Sequence, residues 1–167
     1  HNPKDLLGTT IGTCKSVLKS SSIDPKKVAA IGITNQRETT LVWDKNTGEP
    51  VYNAIVWQDR RTASHCEELR KKGYEKKVTD TTGLLLDPYF SSTKLAWILD
   101  NVEGVRARAE AGNLLFGTVD SYLIWHLTGR QSHITDATNA ARTMLYDIRN
   151  GAWSTEMCDM LNIPIKM

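Results

Sequence analysis

The sequence is poor in cysteine, in long apolar runs and in excess charge of either sign. Its three cysteines, Cys14, Cys66 and Cys158, are an odd number and lie far apart, which argues against a disulfide framework or a metal cluster. They indicate free thiols in a reducing, cytoplasmic compartment. No apolar run approaches the roughly 20 residues that span a bilayer, so we expect no membrane insertion. A net charge of +2 over 167 residues gives no electrostatic case for nucleic acid.

The common phosphate-binding and catalytic strings are missing as well. The sequence contains no G-x-G-x-x-G and no Walker-type lysine loop. Residues 8–13, Gly-Thr-Thr-Ile-Gly-Thr, look like a phosphate-cradling loop but lie within a helical pattern, so a helix interior is the favoured interpretation. Residues 91–94 match the S-x-x-K of serine acyl enzymes without its partner motifs, which favours a helix cap at Ser91 or Ser92. The histidines lack metal-ligand spacing.

Apolar periodicity and turn signals alternate strands with helices along the chain. An apolar fraction of 40% is ordinary for a globular protein. The pattern predicts an α/β fold with a mixed sheet flanked by helices. The predicted strands cover about 28–33, 39–44, 53–57, 114–116 and 144–148, and the predicted helices begin at Pro3, Arg61, Ser91 or Ser92, Val119 (capped by Thr118), after Asp136 and after Ser154.

A polar stretch, Asn-Gln-Arg-Glu at 35–38, follows the first predicted strand with no glycine or proline to make the turn. Polar residues at strand ends are where α/β proteins bind their ligands. Arg37 and Glu38 offer a fork of donors beside carboxylate acceptors, which suits the alternating hydroxyl groups of a polyol. A purely structural ion pair is equally compatible with these two residues alone. Trp57, an apolar wall, and Tyr89, a hydroxyl in a proline-fixed turn, favour the polyol interpretation.

Four segments, read in order, closely resemble the glycerol kinase family: 35–40 (NQRETT), 52–62 (YNAIVWQDRRT), 87–91 (DPYFS) and 115–121 (LFGTVDS). That family belongs to the carbohydrate kinases built from two actin-like, ribonuclease H-like domains. Relatives acting on larger sugars typically carry Ser-Gly-Gln-Met-His where this chain has Asn-Gln-Arg-Glu, so the resemblance points to glycerol. It implies substrate-binding roles for four residues: hydroxyl binding by Arg37, Glu38 and Tyr89, and packing of the glycerol carbons on Trp57.

The resemblance also implies that residues 1–167 are a partial N-terminal, glycerol-binding domain of a two-domain kinase. The family's phosphate-contacting Asp-x-Gly-Thr-Thr-Ser loop would precede His1, and its aspartate base, in a Gly-Asp-Gln stretch, would follow Met167. Neither string occurs in the chain, which also starts without methionine. We therefore expect a piece of a longer protein, with no catalytic, cofactor-binding or metal-binding residue of its own and no kinase activity alone.

The activity implied for the complete protein is ATP-dependent phosphorylation of glycerol to sn-glycerol 3-phosphate, assisted by Mg²⁺, in a cytoplasmic homo-oligomer. Two alternatives stay open: a non-catalytic polyol-binding fragment, and a kinase of a related polyol. Residues 28–33 are apolar on both faces, as in an interior strand with neighbours on each side. Without those neighbours the strand would leave an open edge, so we expect the isolated chain to be marginally stable, self-associating or prone to aggregation.

Overall fold

The computed structural model describes residues 1–167 and is organised around two short strands. Strand β1 (Leu41–Asp44) pairs antiparallel with β2 (Leu114–Gly117), with Leu41 opposite Gly117 and Asp44 opposite Leu114. Alternation along β1 directs Leu41 and Trp43 to one face and Val42 to the other. The strand pair therefore separates two hydrophobic clusters, which we call the large and the small core.

The large core, on the side of Val42 and Leu114, is covered by five helices. Its centre is the apolar face of α4, where Leu95, Ile98 and Leu99 are fully buried at helical spacing. The flanking helices each add one or two buried apolar residues to the same cluster. These helices are α2 (Ala63–Lys71), α3 (Glu75–Thr82), α4 (Ser91–Asn101), α5 (Val105–Glu110) and α8 (Thr155–Met160).

The small core is aromatic and belongs mainly to β1 and α6 (Val119–Leu127). The rings of Trp43 and Tyr122 meet edge to face, with 5.3 Å between their centroids. The close approach of α6 to the sheet requires Gly117, because a Cβ atom there would lie 2.5 Å from Cβ of Ser121. Helix α1 (Pro3–Ser21) closes this core from outside through Leu6 and Leu7.

Helix α1 begins as predicted, with Asn2 as N-cap and Pro3 in the first turn. Residues 8–13 lie inside this helix, so the helix-interior interpretation is confirmed and a phosphate loop is excluded there. The side chains of Thr9 and Thr10 donate hydrogen bonds back to helical carbonyl groups at 2.7 Å. None of the helices combines the length and apolar character that crossing a bilayer requires.

The α/β class and most predicted elements are confirmed, including β2, α6 after Thr118, and α8 after Ser154. The remaining elements are small. They are the 3₁₀ turn Pro25–Lys27, helix α7 (Ala137–Ala140) and a two-residue ladder between β3 (Tyr146–Asp147) and β4 (Ala152–Trp153). Of the predicted strand 144–148, only β3 forms. Helices α3 and α5 were not predicted.

The predicted strand at 28–33 is wrong. This segment forms no strand, and Val28 and Ile31 are 44% and 63% exposed. No strand of the chain is hydrogen-bonded to the segment, so the ladder that would make it a strand is missing. The predicted strand 53–57 is also absent, because Ile55 makes only a single antiparallel bridge to Thr40. Both sheets that do form are antiparallel pairs.

We expect the amide hydrogens of residues 29–33 to exchange with solvent at nearly the unfolded rate, because none of them donates a backbone hydrogen bond. The amides of Thr40 and Asp44, which donate to Ile55 and Glu49 at 2.9 Å, serve as protected controls. Hydrogen–deuterium exchange followed by NMR measures both sets. Equal protection of 29–33 and the controls would contradict this description, and sedimentation would then show whether self-association provides the missing partner.

Candidate functional site

The polar stretch turns at Arg37 and Glu38 because Glu38 adopts a left-handed backbone conformation, with φ of 63°. This conformation costs a non-glycine residue roughly 1–2 kcal/mol, so other contacts have to hold it. The carbonyl oxygen of Glu38 accepts hydrogen bonds from Oγ of Ser91 at 3.1 Å and from Oγ1 of Thr40 at 3.2 Å. A hydrogen bond from the first residue of α4 thereby helps to hold a turn that contains no glycine or proline.

The Glu38 side chain points inward and the residue is only 2% exposed. Its Oε1 accepts a hydrogen bond from Nε of Arg142 at 2.6 Å, an ion pair that joins positions 104 residues apart. A buried carboxylate needs such a partner, because desolvation of an unpaired charge is very costly. Oε2 has no protein donor and is not sealed from solvent. One carboxylate oxygen is thus held by the protein and the other is free to accept from a ligand hydroxyl.

Aromatic rings stand next to this carboxylate. The guanidinium carbon of Arg142 lies 4.9 Å from the ring centre of Phe90 and 5.6 Å from that of Tyr89. The Tyr89 ring in turn lies 5.3 Å from the Trp57 ring, at an interplanar angle of 58°. The Tyr89 hydroxyl makes no hydrogen bond within the protein and both rings are half-buried. A continuous series of contacts therefore links Glu38, Arg142, Tyr89 and Trp57.

Contacts through Arg142 link three of the four predicted residues, whereas no hydrogen bond or ion pair joins the side chain of Arg37 to them. Arg37 is exposed and forms no ion pair, although it is adjacent to the buried Glu38 in sequence. The ion pair of Glu38 is made with Arg142 instead. The substrate-binding role of Arg37, with its donors free, stays a prediction.

The turn that carries Tyr89 is held from below by Lys94. This lysine is fully buried, and its Nζ donates to the carbonyl groups of Pro88, Tyr89 and Phe90 at 2.9, 2.5 and 2.7 Å. Burial lowers the pKa of Lys94 to about 8, against the opposing influence of the negative charges on Glu38 and Asp59. All three N–H donors are used, so Lys94 fixes the backbone of the turn.

Ser91 and Lys94 accordingly do not form the nucleophile and base of an acyl enzyme, since each is bonded to backbone carbonyl groups. The predicted helix cap at Ser91 or Ser92 is also wrong. Phe90 is the N-cap residue of α4 and makes no side-chain capping bond, while Ser91 is the first helical residue. Its hydroxyl is directed to Glu38 instead of to the helix end.

Sequence reasoning missed Arg142 and Lys94. Lys94 follows Ser91 by three residues and precedes Ile98 by four, so helical spacing alone would have placed it on the buried face of α4. Arg142 has no such signal. It lies in the segment directly after α7. Asp136 caps the start of that helix, where its carboxylate accepts a hydrogen bond from the Asn139 amide at 2.8 Å.

The carboxylates of the chain are not arranged as a magnesium site. Asp120, for example, already accepts hydrogen bonds from Thr118, Thr135 and Asn35. No group of three or more His, Cys, Asp or Glu side chains is arranged to hold a metal ion. A cavity of about 470 Å³ lies between β2, residues 133–137 and the C-terminal segment, but none of the four predicted site residues lines it.

The chain has the architecture of solved structures of carbohydrate kinases. The chain superimposes on Plasmodium falciparum glycerol kinase, crystallised with ADP, with a TM-score of 0.91 and 34% identity, over 97% of this chain and 32% of that one. A ligand-bound xylulose kinase from Lactobacillus acidophilus gives a TM-score of 0.84 over 99% of this chain and 32% of that one, at 24% identity, which speaks to the fold alone. The fold is that of a carbohydrate kinase domain, as the resemblance implied.

The chain belongs to the FGGY family of carbohydrate kinases, whose N-terminal domain model matches residues 1–167. It is 62% identical to a glycerol kinase of Roseobacter denitrificans over 167 residues, and 60% identical to a glycerol kinase of Alteromonas mediterranea over 168 aligned positions. Each alignment covers the whole of this chain and 34% of the relative. The chain thus spans about a third of the length of the curated relatives that it matches.

Replacing Lys94 by methionine keeps the volume and removes three hydrogen bonds. We expect a loss of about 3 kcal/mol in unfolding free energy near neutral pH, because unsatisfied buried carbonyl groups cost about 1–3 kcal/mol each. Lys71→Met, on the exposed side of α2, is the control. Urea unfolding measures both changes.

The same pair of proteins should differ more at alkaline pH. The pKa of Lys94 is about 8 in the folded chain and 10.5 as the reference value. Between these values the side chain of Lys94 binds more protons in the unfolded chain, so its contribution to wild-type stability rises with pH, by up to about 1.4 kcal/mol per pH unit. The Lys94→Met variant lacks this rise. A difference between wild type and variant that stays constant from neutral pH to about pH 9.5 would contradict a buried, titrating lysine.

Proposed function

We propose that this chain is the polyol-binding part, a partial N-terminal domain, of a two-domain ATP-dependent glycerol kinase. The complete enzyme would transfer the γ-phosphoryl group of ATP to glycerol and form sn-glycerol 3-phosphate. One observation carries the proposal: Glu38 has one oxygen held by Arg142 and one free, beside the free hydroxyl of Tyr89 and the half-buried ring of Trp57. The glycerol kinases that are about 60% identical over the whole chain support the choice of substrate.

In this proposal the chain binds and orients the acceptor. Oε2 of Glu38 accepts a hydrogen bond from one glycerol hydroxyl, the Arg37 guanidinium donates to glycerol oxygens, and the Tyr89 hydroxyl completes the polar contacts. Trp57 contacts the carbon-bound hydrogens. Holding two hydroxyl groups leaves one terminal hydroxyl presented for reaction, and such orientation can supply several kcal/mol of the barrier, up to about 7–11 in favourable cases.

Phosphoryl transfer depends mainly on positioning and charge stabilisation, and Mg²⁺ would offset the phosphate charge. The family resemblance puts the phosphate loop and the aspartate base outside residues 1–167, and within them no cluster of side chains is arranged to hold a metal ion. The proposal therefore assigns the binding of ATP and Mg²⁺, and the acceptance of the hydroxyl proton, to other parts of the complete protein. A cytoplasmic location is part of the proposal and is supported by three unpaired cysteines, of which Cys66 and Cys158 are buried with raised pKa values because of desolvation. Assembly as a homo-oligomer rests on the family resemblance.

Two other functions are tested against this one. A polyol-binding module without catalysis would need no metal ligands, and no group of three or more His, Cys, Asp or Glu side chains is arranged to hold a metal ion here. A kinase of a related polyol would share the fold, since a xylulose kinase has the same architecture. The test is ATP-dependent phosphorylation by the complete purified protein over a panel of glycerol, longer polyols and pentuloses, with the isolated chain assayed in parallel. Absence of activity in the complete protein favours the module, and preference for another acceptor favours the related kinase.

Glu38→Gln in the complete kinase should raise the KM for glycerol by about 10- to 100-fold, because hydrogen bonds to a charged group contribute about 1.5–3 kcal/mol. The KM for ATP should change less than about twofold, since Glu38 has no nucleotide role in the proposal. The exposed Glu103→Gln is the matched control. Steady-state kinetics with each substrate varied separately measures the effect, and equal increases in both KM values would contradict the assignment of Glu38.

Trp57→Ala should weaken discrimination against polyols that are bulkier along the carbon backbone, because the wall that limits the site is removed. We expect the ratio of kcat/KM for glycerol to that for longer polyols to fall by about tenfold or more, the scale on which hydrophobic contacts discriminate. Trp153→Ala, at an exposed tryptophan on β4, is the control. An unchanged ratio in Trp57→Ala would show that this ring does not define the width of the site.

A further inference from the structure

Arg142 contacts both chemical parts of the proposed site at the same time. Its Nε donates to Oε1 of Glu38 at 2.6 Å, and its guanidinium carbon lies over the rings of Phe90 and Tyr89, 4.9 and 5.6 Å from their centres. A guanidinium combines a planar face for stacking with an edge for hydrogen bonding, which lysine cannot do. Arg142 is therefore suited to set the distance between the carboxylate and the tyrosine ring.

The segment that carries Arg142 is itself docked on α4. The carbonyl group of Thr143 accepts from the Ser92 amide at 2.9 Å, and Oγ of Ser91 binds the Glu38 carbonyl group at 3.1 Å. The Glu38 turn and the Arg142 segment are thus each anchored to the first turn of one helix. The ion pair between them closes a ring of contacts, and its members cannot shift independently.

Most of the hydrogen-bonding capacity of Arg142 is uncommitted. Only Nε has a protein acceptor, and the side chain is 30% exposed, against 3% for Glu38. Arginines elsewhere in the chain that serve packing are bonded through their terminal nitrogens to backbone carbonyl groups, as Arg130 is to Asn46 and Thr47. Arg142 is not tied to the fold in this way, so its partners in the structure are the site residues themselves.

We propose that Arg142 is a positioning residue for the acceptor. It holds the Glu38 carboxylate aimed at the substrate and keeps the Tyr89 ring at a fixed distance from that carboxylate. The inference rests on the proposed function and goes beyond it, because it assigns a role to a residue that acts through Glu38 and Tyr89. Its effect should appear in acceptor affinity and should depend on Glu38.

The experiment is a double-mutant cycle in the complete kinase with Arg142→Met, Glu38→Gln and the double variant, together with Arg142→Lys. We expect Arg142→Met to raise the KM and the calorimetric Kd for glycerol by up to about 100-fold, because misplacement of a binding group by about 1 Å costs that much. The KM for ATP should stay within about twofold. In the double variant, the loss should be clearly smaller than the sum of the two single losses, since both changes act on the same carboxylate. Arg142→Lys should recover part of the affinity.

The matched control is Arg108→Met. It breaks another ion pair between distant positions, in which Nη2 of Arg108 lies 2.9 Å from Oδ2 of Asp44, and neither residue belongs to the proposed site. It should leave the glycerol KM unchanged. Additive losses in the cycle, or equal rises in both KM values for Arg142→Met, would overturn the positioning role. If Arg142→Met does not fold, the cycle is carried out with Arg142→Lys. The positioning role would then be overturned if Arg142→Lys leaves the glycerol affinity unchanged both in the wild type and in the Glu38→Gln variant.

To separate failure of the proposed function from failure of the positioning role, the phosphorylation of polyols by the wild-type protein is measured first. If the wild type phosphorylates another polyol, the cycle is carried out with that polyol and still decides the role of Arg142. If it phosphorylates none, calorimetric binding of glycerol to the wild type and to the same variants gives the decision. The positioning role is supported if Arg142→Met and Glu38→Gln both weaken binding and the double variant loses less than the sum of the two. It is overturned if Arg142→Met has no effect on binding.

Discussion

The buried carboxylate of Glu38 is the constraint on which the rest of this site depends. An ionised carboxylate that is almost removed from water requires a cation or several donors, and Arg142 provides the cation from 104 residues away. Breaking such a pair leaves an uncompensated buried charge and typically costs about 3–5 kcal/mol. Segments far apart in the chain therefore have to meet before the site exists, which couples its formation to completion of the fold.

The first turn of α4 is where these segments meet. Ser91 reaches the Glu38 carbonyl group, the Ser92 amide reaches Thr143, and Lys94 gathers the three carbonyl groups of the turn that carries Tyr89. A single hydrogen bond of this kind contributes only about 0.5–1.5 kcal/mol. Together these hydrogen bonds fix the positions of three backbone segments relative to one rigid helix. This arrangement explains why Ser91 and Lys94 occupy fully buried positions at the start of α4.

Several elements of the fold could be predicted from local pattern. The N-cap and proline before α1, the apolar run of α6 before Gly129, and the caps at Asp136 and Ser154 are signals carried within a few residues, and the structure confirms them. The segment 28–33 shows the limit of this reasoning. Its composition is that of an interior strand, yet a strand exists only when another strand supplies the ladder, and no strand of the chain is hydrogen-bonded to it.

The sequence by itself determined the α/β class, the helices with clear caps and, through four ordered segments, the candidate residues Arg37, Glu38, Trp57 and Tyr89. Only the tertiary structure decided that Glu38 turns inward while Arg37 stays in solvent, that Arg142 is the partner of Glu38, and that Ser91 bonds to a distant carbonyl group instead of capping its helix. The physical reason is the range of the interactions. Caps and helical faces depend on residues about one turn apart, whereas ion pairs and strand ladders depend on which distant segments the packed core brings into contact.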